Sequence, residues 1–374
     1  MTRLFLFGTL RWPDLLNAVA GQDIPTIPAT LPGWQVARAS TGDWPLLIPG
    51  QQAAEGLLTD PLDPDALGRL NWYEVAFGYV PEVVNVMVDG AEVPAMVYRH
   101  NDPGGASGQG WDLDDWIAAH GERTLIASSE ILRAEGRLSP DQMMARRGVV
   151  HARAHGVVMG RATTRPITVG GGPVLSDVTV EEIRYPYDGF HRVEEWLLDH
   201  PRFDGTRSGL IERAISHVTD ATTVLPYDPV RDRVLVVEQI RVGAVAKGDP
   251  RPWMIEPVAG LIDAGETPES TALRECEEEA GLTLSAADLH FVARYYPSPG
   301  GLAQVLHSYV ALVDLPDDAG GLHGLEEEAE DIRAHLIPLD DLVAMISTCE
   351  AANAPLIVSA QWLALHRERL RLNG

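Results

Sequence analysis

The chain has 374 residues, 45% hydrophobic and 22% charged, enough for two or three globular domains that each bury a core. Acidic residues outnumber basic ones 54 to 29, and the net charge of −25 repels nucleic-acid phosphates, so general DNA or RNA binding is excluded. A small anionic substrate is not excluded, because a bound metal ion reverses the local sign. No apolar run approaches the roughly 20 residues that cross a bilayer, and no membrane segment is expected. The two cysteines, Cys276 and Cys349, make no disulfide or zinc framework, which points to a reducing cytoplasm.

The first residues, Met1 to Gly8, carry an apolar run too short for a signal segment and without a small-residue cleavage site, so a first β-strand is expected there. Several Pro-marked turns follow. Residues 83–90 then read as a strand ending in a tight turn at Asp89-Gly90, with a second strand over 93–98. Asn101-Asp102-Pro103-Gly104-Gly105 reads as a loop. From 121 to about 165 the pattern is helical, with Leu125, Ile126, Ile131 and Leu132 at helix spacing and a break at Ser139-Pro140. His151 and His155 stand four apart, a spacing that can ligate a metal. With no partner motif nearby they read as packing or surface residues. Thr168 to Pro173, with three glycines in a row, reads as a flexible junction.

From 174 onward β and α signals alternate. A strand is expected at 234–240 after a turn at Asp228-Pro229, then a helix from Pro268 to Ala280. Strands follow near 291–296 and 308–313, and a closing helix covers 357–372. The pattern is that of helices on a mixed sheet. Three regions result: a first domain over 1–120, a helical connector over 121–173, and a second domain over 174–374.

The segment Gly260 to Leu282 carries the chemistry. Glu266-Thr267-Pro268 suits a helix start and Gly281 a helix stop. On that helix Glu275, Glu278 and Glu279 fall at i, i+3 and i+4 and crowd one face. Unit charges about 6 Å apart repel by roughly 3 kcal/mol at an effective dielectric of 20. A hard divalent cation offsets that repulsion, as does open water, and the carboxylates taken alone read as a solvated acidic face.

The full spacing decides between them. Gly260, five residues, Glu266, seven residues, Arg274-Glu275, an apolar residue, any residue, Glu278-Glu279, any residue, Gly281 and an apolar residue match every position of the Nudix box. From ordinary composition such a match arises by chance below about one time in a million. The resemblance implies an α/β/α sandwich with a mixed sheet. It further implies magnesium on Glu275, Glu278, Glu279 and the carbonyl of Ala259, hydrolysis of a nucleoside diphosphate linked to another group, and a Glu266–Arg274 ion pair.

The resemblance reaches beyond the box. Residues 253–260 resemble the strand entering the box in ADP-ribose pyrophosphatases, and Ser298-Pro299-Gly300-Gly301 resembles an element of that subfamily. Residues 324–332 resemble its acidic catalytic loop, which makes Glu328 the candidate general base and Glu330 the second choice. Glu279 is counted with the catalytic groups. Arg213, Arg241, Ser298 and Gly300 align with substrate-contacting positions. Where the subfamily commonly has glutamate this chain has Gln304, which puts the exact substrate in question. The implied activity is magnesium-dependent hydrolysis of ADP-ribose to AMP and ribose 5-phosphate, by a homodimer. Alternatives are another sugar nucleotide or dinucleotide as substrate, or a non-catalytic nucleotide sensor.

In the first domain Phe5 to Leu10, then Leu70-Asn71-Trp72-Tyr73-Glu74 followed by Gly78-Tyr79, resemble two blocks of gamma-glutamylcyclotransferase-like domains. Phe7 replaces the usual tyrosine. The resemblance implies a small barrel-like α+β domain with Glu74 as acid/base, acting on gamma-glutamyl compounds or retained as a scaffold.

Overall fold

The computed structural model describes residues 2–100, 105–324 and 330–373. The chain forms two compact units, residues 1–162 and 163–374.

In the first unit a sheet is laid out in the order β1 (Phe5–Leu6), β3 (Pro45–Thr59), β2 (Thr26–Arg38), β4 (Tyr79–Val88), β5 (Ala91–His100). The β4–β5 turn is the one read from the sequence: Asp89 and Gly90 have φ of 49° and 83°, the left-handed pair that a two-residue hairpin demands. The expected barrel does not close. Strand β1 is two residues long and cannot carry a ladder on both sides, so the sheet's ends meet only at a bridge between Leu4 and Met96. The Pro-marked region holds long strands instead of only turns: Pro28 and Pro32 lie in β2, Pro45 and Pro49 in β3. Strand β2 pairs along its length with β3 but meets β4 at one position, Thr30 to Met87. A missing N–H is tolerated where it points away from a ladder.

Helices α1 (Pro13–Ala20), α2 (Pro64–Val75) and α3 (Leu113–Trp116) are joined by α4 (Glu122–Arg133) and α5 (Pro140–Ala162). The break expected at Ser139-Pro140 is a reciprocal cap: Gln142 N–H donates to Ser139 Oγ at 3.2 Å, and Ser139 N–H to Gln142 Oε1 at 2.9 Å. Residues 121–162 do more than connect. Ala127, Ile131, Met143, Val150 and Ala154 are buried in one core with Leu4, Leu15 and Leu70. The helices' apolar stripes have no other surface to cover, so they join the first unit. The buried pair Glu130–Arg153 links α4 to α5.

In the second unit β6 (Thr179–Asp188), β7 (Arg192–Asp199), β8 (Ile211–His217) and the short β14 (Leu302–Ala303) form one sheet. The larger sheet is built around β9 (Ala221–Asp228), buried at every residue, which runs parallel to β15 (Leu306–Leu312) and antiparallel to β10 (Arg233–Ile240) and β12 (Val258–Leu261). Strand β13 (Leu289–Tyr295) flanks β15, β11 (Trp253–Glu256) and β17 (Ile332–Pro338) flank β10, and β16 (Gly321–His323) borders β17. Helix α6 (Val242–Lys247) follows β10.

Helix α7 (Pro268–Ala280) buries Ala272, Cys276 and Ala280 on one face of the sheet, against Val224, Leu235 and Val258. Helices α8 (Leu339–Ser347) and α9 (Ala354–Asn373) cover Leu225, Tyr227 and Val236 on the other. This is the α/β/α sandwich with a mixed sheet. Among the described residues no helix is long and apolar enough to cross a membrane.

The side chains of Glu130 and Arg153 are 8% and 2% exposed, so removing either one breaks a pair that is shut away from water. Glu130→Gln and Arg153→Met are each expected to lower unfolding stability by about 3–5 kcal/mol. Urea unfolding of the full-length protein checks this, and a loss below about 1 kcal/mol would match an exposed pair instead.

Candidate active site

The site is built where β12 runs over α7. Thr267 caps the helix, its Oγ1 accepting from the Ser270 N–H at 3.1 Å, with Pro268 in the first turn. Two turns further on Arg274 and Glu275, and a turn later Glu279, reach the strand, with Glu278 held beside them by Arg274. Gly260 makes that approach possible. A Cβ there would stand 1.7 Å from Glu275 Oε1 and 1.9 Å from its Cδ, so any side chain evicts the carboxylate.

Arg274 organises the acidic groups around it. Its Nε donates to Glu266 Oε1 at 3.0 Å and its Nη2 to Glu266 Oε2 at 3.1 Å, the expected ion pair. The same guanidinium reaches further than the sequence foretold, with Nη1 at 2.6 Å from Glu275 Oε1 and 2.9 Å from Glu278 Oε2. Glu266 also accepts from Thr271 Oγ1 at 2.7 Å and from the Asp263 N–H at 3.2 Å, which locks the loop to the helix.

Glu279 is 2% exposed and accepts from the Ala259 N–H at 2.9 Å. Burial, then the charges of Glu275 and Glu330, push its carboxyl up to about 8. Burial pushes Glu275 up to about 7, with Glu278 and Glu330 adding to the rise and Arg274 opposing it. Three carboxylates thus surround one guanidinium, while a fourth and deeper one, Glu279, takes its hydrogen bond from a backbone amide.

Hard oxygen donors with this charge deficit fit a divalent cation. Glu275, Glu278 and Glu279 with the Ala259 carbonyl are the residues able to hold it. Among the described residues no three acidic, histidine or cysteine side chains already converge as a closed ligand set, because Arg274 Nη1 lies between Glu275 and Glu278.

The other expected residues divide. Arg241 is brought near: its charge acts on Glu279, and its guanidinium pairs with Glu256 at 2.5 Å. Glu256 and Asn353, which donates to it at 2.8 Å, carry no signal in the sequence beyond a polar residue in an apolar strand. Arg213 is exposed on β8, donating to the Glu212 carbonyl at 2.8 Å; among the described residues no hydrogen bond or ion pair joins it to the carboxylates. Ser298 and Gly300 lie in the exposed turn before β14, where the Ser298 carbonyl accepts from the Leu302 N–H at 2.9 Å. Gln304 donates its amide to the Thr219 carbonyl at 2.8 Å, a bond a carboxylate could not make. Glu328 lies outside the described residues. Glu330 is described, and its charge reaches Glu275 and Glu279.

In the first unit Glu74 sits half-buried on α2, and burial pushes its carboxyl up to about 8. Tyr98 has a buried hydroxyl with no hydrogen-bond partner among the described residues, and burial and Glu74 push that phenol up.

The chain belongs to the Nudix family. Residues 217–358 match the NUDIX domain, and residues 4–118 match the gamma-glutamyl cyclotransferase, AIG2-like family. The chain is 35% identical to the ADP-ribose pyrophosphatase of Escherichia coli K12 over 206 residues, 55% of this chain and 95% of the relative. It is 35% identical over 187 residues to that of Haemophilus influenzae, covering 50% of this chain and 85% of the relative. A GDP-mannose pyrophosphatase of Citrobacter koseri is 29% identical over 172 residues, 45% of this chain and 87% of the relative.

Gly260→Ala is expected to displace Glu275 and lower turnover at least about 100-fold with the fold intact, since an ångström of misplacement is worth that much. Steady-state kinetics beside a thermal melt reads this; unchanged turnover would mean the Glu275 position is immaterial.

Proposed function

We propose that the second unit hydrolyses the diphosphate of ADP-ribose to AMP and ribose 5-phosphate with magnesium. The observation that carries this is the carboxylates gathered at β12, Glu275 on Gly260 and Glu279 on Ala259, in a chain 35% identical to ADP-ribose pyrophosphatases over nearly their whole length. Bound magnesium supplies charge neutralisation at the diphosphate oxygens and acidifies water.

The chain's own groups do the rest. Glu275, Glu278, Glu279 and the Ala259 carbonyl would hold the ion, and Arg274, which pairs Glu275 with Glu278 in its absence, would give way to it. Glu279 is oriented by the Ala259 amide, while Glu256 and Asn353 fix Arg241 for a phosphate or a base edge. Arg213, Ser298 and Gly300 complete the substrate contacts. Glu328 takes the proton of the attacking water, with Glu330 as the alternative.

Glu279→Gln and Glu328→Gln should each cut turnover at least about 100-fold, and full activity in either rejects that residue's role. Phosphate-product analysis of full-length protein with ADP-ribose should give AMP and ribose 5-phosphate, stopping in EDTA and resuming with magnesium. A panel including GDP-mannose tests the second reading, another sugar nucleotide, which is favoured by the GDP-mannose pyrophosphatase relatives and by Gln304. Binding of ADP-ribose with no turnover would favour a sensor. We take the protein to be a homodimer of a reducing cytoplasm, in keeping with two unpaired cysteines; light scattering tests the assembly.

For the first unit we propose acid/base action of Glu74 on gamma-glutamyl compounds, supported by its raised proton affinity and the partnerless Tyr98 hydroxyl. Release of 5-oxoproline should be seen with wild type and lost in Glu74→Gln. No release from any gamma-glutamyl compound would leave the unit a scaffold.

A further inference from the structure

We propose that the first unit also binds a doubly charged oxyanion, a phosphomonoester or a dicarboxylate, between Arg123, Arg147 and His151 and the aromatic rings of Trp44 and Phe77. The three basic residues lie on α4 and α5, beyond residue 118 where the match to the cyclotransferase family ends, and the site is independent of the Nudix chemistry.

Arg147 and His151 are one turn apart on α5 and share a face. The Arg147 guanidinium stands 5.9 Å from the Trp44 ring and 5.7 Å from the Phe77 ring, so two aromatic rings hold a single cation. His151 meets Phe77 edge-on, with ring centroids 6.1 Å apart.

Arg123 Nη2 donates to His120 Nδ1 at 3.0 Å. A guanidinium cannot accept, so His120 carries its proton on Nε2 and donates it to Asp43, 2.9 Å away. Asp43 is shared with Arg38, 3.2 Å away, and reaches Arg123 only through that imidazole. Among the described residues neither Arg123 nor Arg147 has a carboxylate within ion-pair distance.

Positive charge therefore accumulates without a counter-ion. Burial, then the charges of Arg123 and Arg147, push the His151 imidazole down to about 4. A metal on His151 and His155 would add to that positive field. The unmet atoms indicate the opposite sign: Arg123 Nε and Trp44 Nε1 are buried and partnerless among the described residues, and both can only donate. A ligand that meets these donors accepts hydrogen bonds and brings negative charge. Guanidinium groups match carboxylate and phosphate alike, and the pair of them calls for a dianion.

Calorimetric titration of the full-length protein in EDTA, with inorganic phosphate in one arm and glutarate in the other, separates the two classes of ligand. At least one is expected to bind saturably. Arg147→Gln and Arg123→Gln should each weaken it at least about tenfold while melting cooperatively. Arg161→Gln removes the same charge from the exposed end of α5 and should bind as wild type does. The proposal is overturned by no saturable binding of either anion, or by equal weakening in Arg161→Gln.

Discussion

The second unit depends on one close approach, the Glu275 carboxylate laid against the bare backbone of Gly260. A side chain at that glycine would occupy the carboxylate's place, and without the contact α7 could not lie so near β12. Packing then sets the electrostatics. The sheet buries Glu279, drawing the acidic face out of the water that would otherwise screen it, and Arg274 balances only part of the charge. Burial and mutual repulsion raise proton affinity, and the same forces make the place attractive to a hard cation. Apolar packing of Ala272, Cys276 and Ala280 against the sheet thus sustains a site that its own charges oppose.

The sandwich and the box helix were legible because their signals are local. Helix α7 begins and ends where Thr267, Pro268 and Gly281 say it should, and a period of 3.6 puts its glutamates on one face. Other features depend on contacts between distant segments. Strand β9 is buried on both sides, so Ala221–Asp228 lacks the alternation that announces a strand, and Pro226 masks it further. The reach of Arg274 to three carboxylates, and the Ala259 amide on Glu279, exist only once β12 crosses the helix. Glu256 and Asn353 are 97 residues apart in the chain, and the fold alone joins them.

The first unit teaches the same lesson in reverse. Residues 121–162 carry a plain helical pattern, and nothing local says which core their apolar faces enter. Trp72 donating to the Ile131 carbonyl at 2.8 Å and the Glu130–Arg153 pair tie them to the unit before them. The barrel implied by resemblance stays open for a reason of length, since β1 spans only Phe5–Leu6. Two candidate sites, one on an acidic helix and one around half-buried Glu74, thus belong to separate cores of a single chain.

The carboxylates gathered where α7 meets β12 are proposed to hold a divalent ion. Anomalous diffraction from crystals of the full-length protein soaked in manganese tests it most directly. A peak bounded by oxygens of Glu275, Glu278 and Glu279 is expected, with Arg274 drawn back from between the first two. Ordered carboxylates with no peak there, or a peak held by other residues, would contradict it.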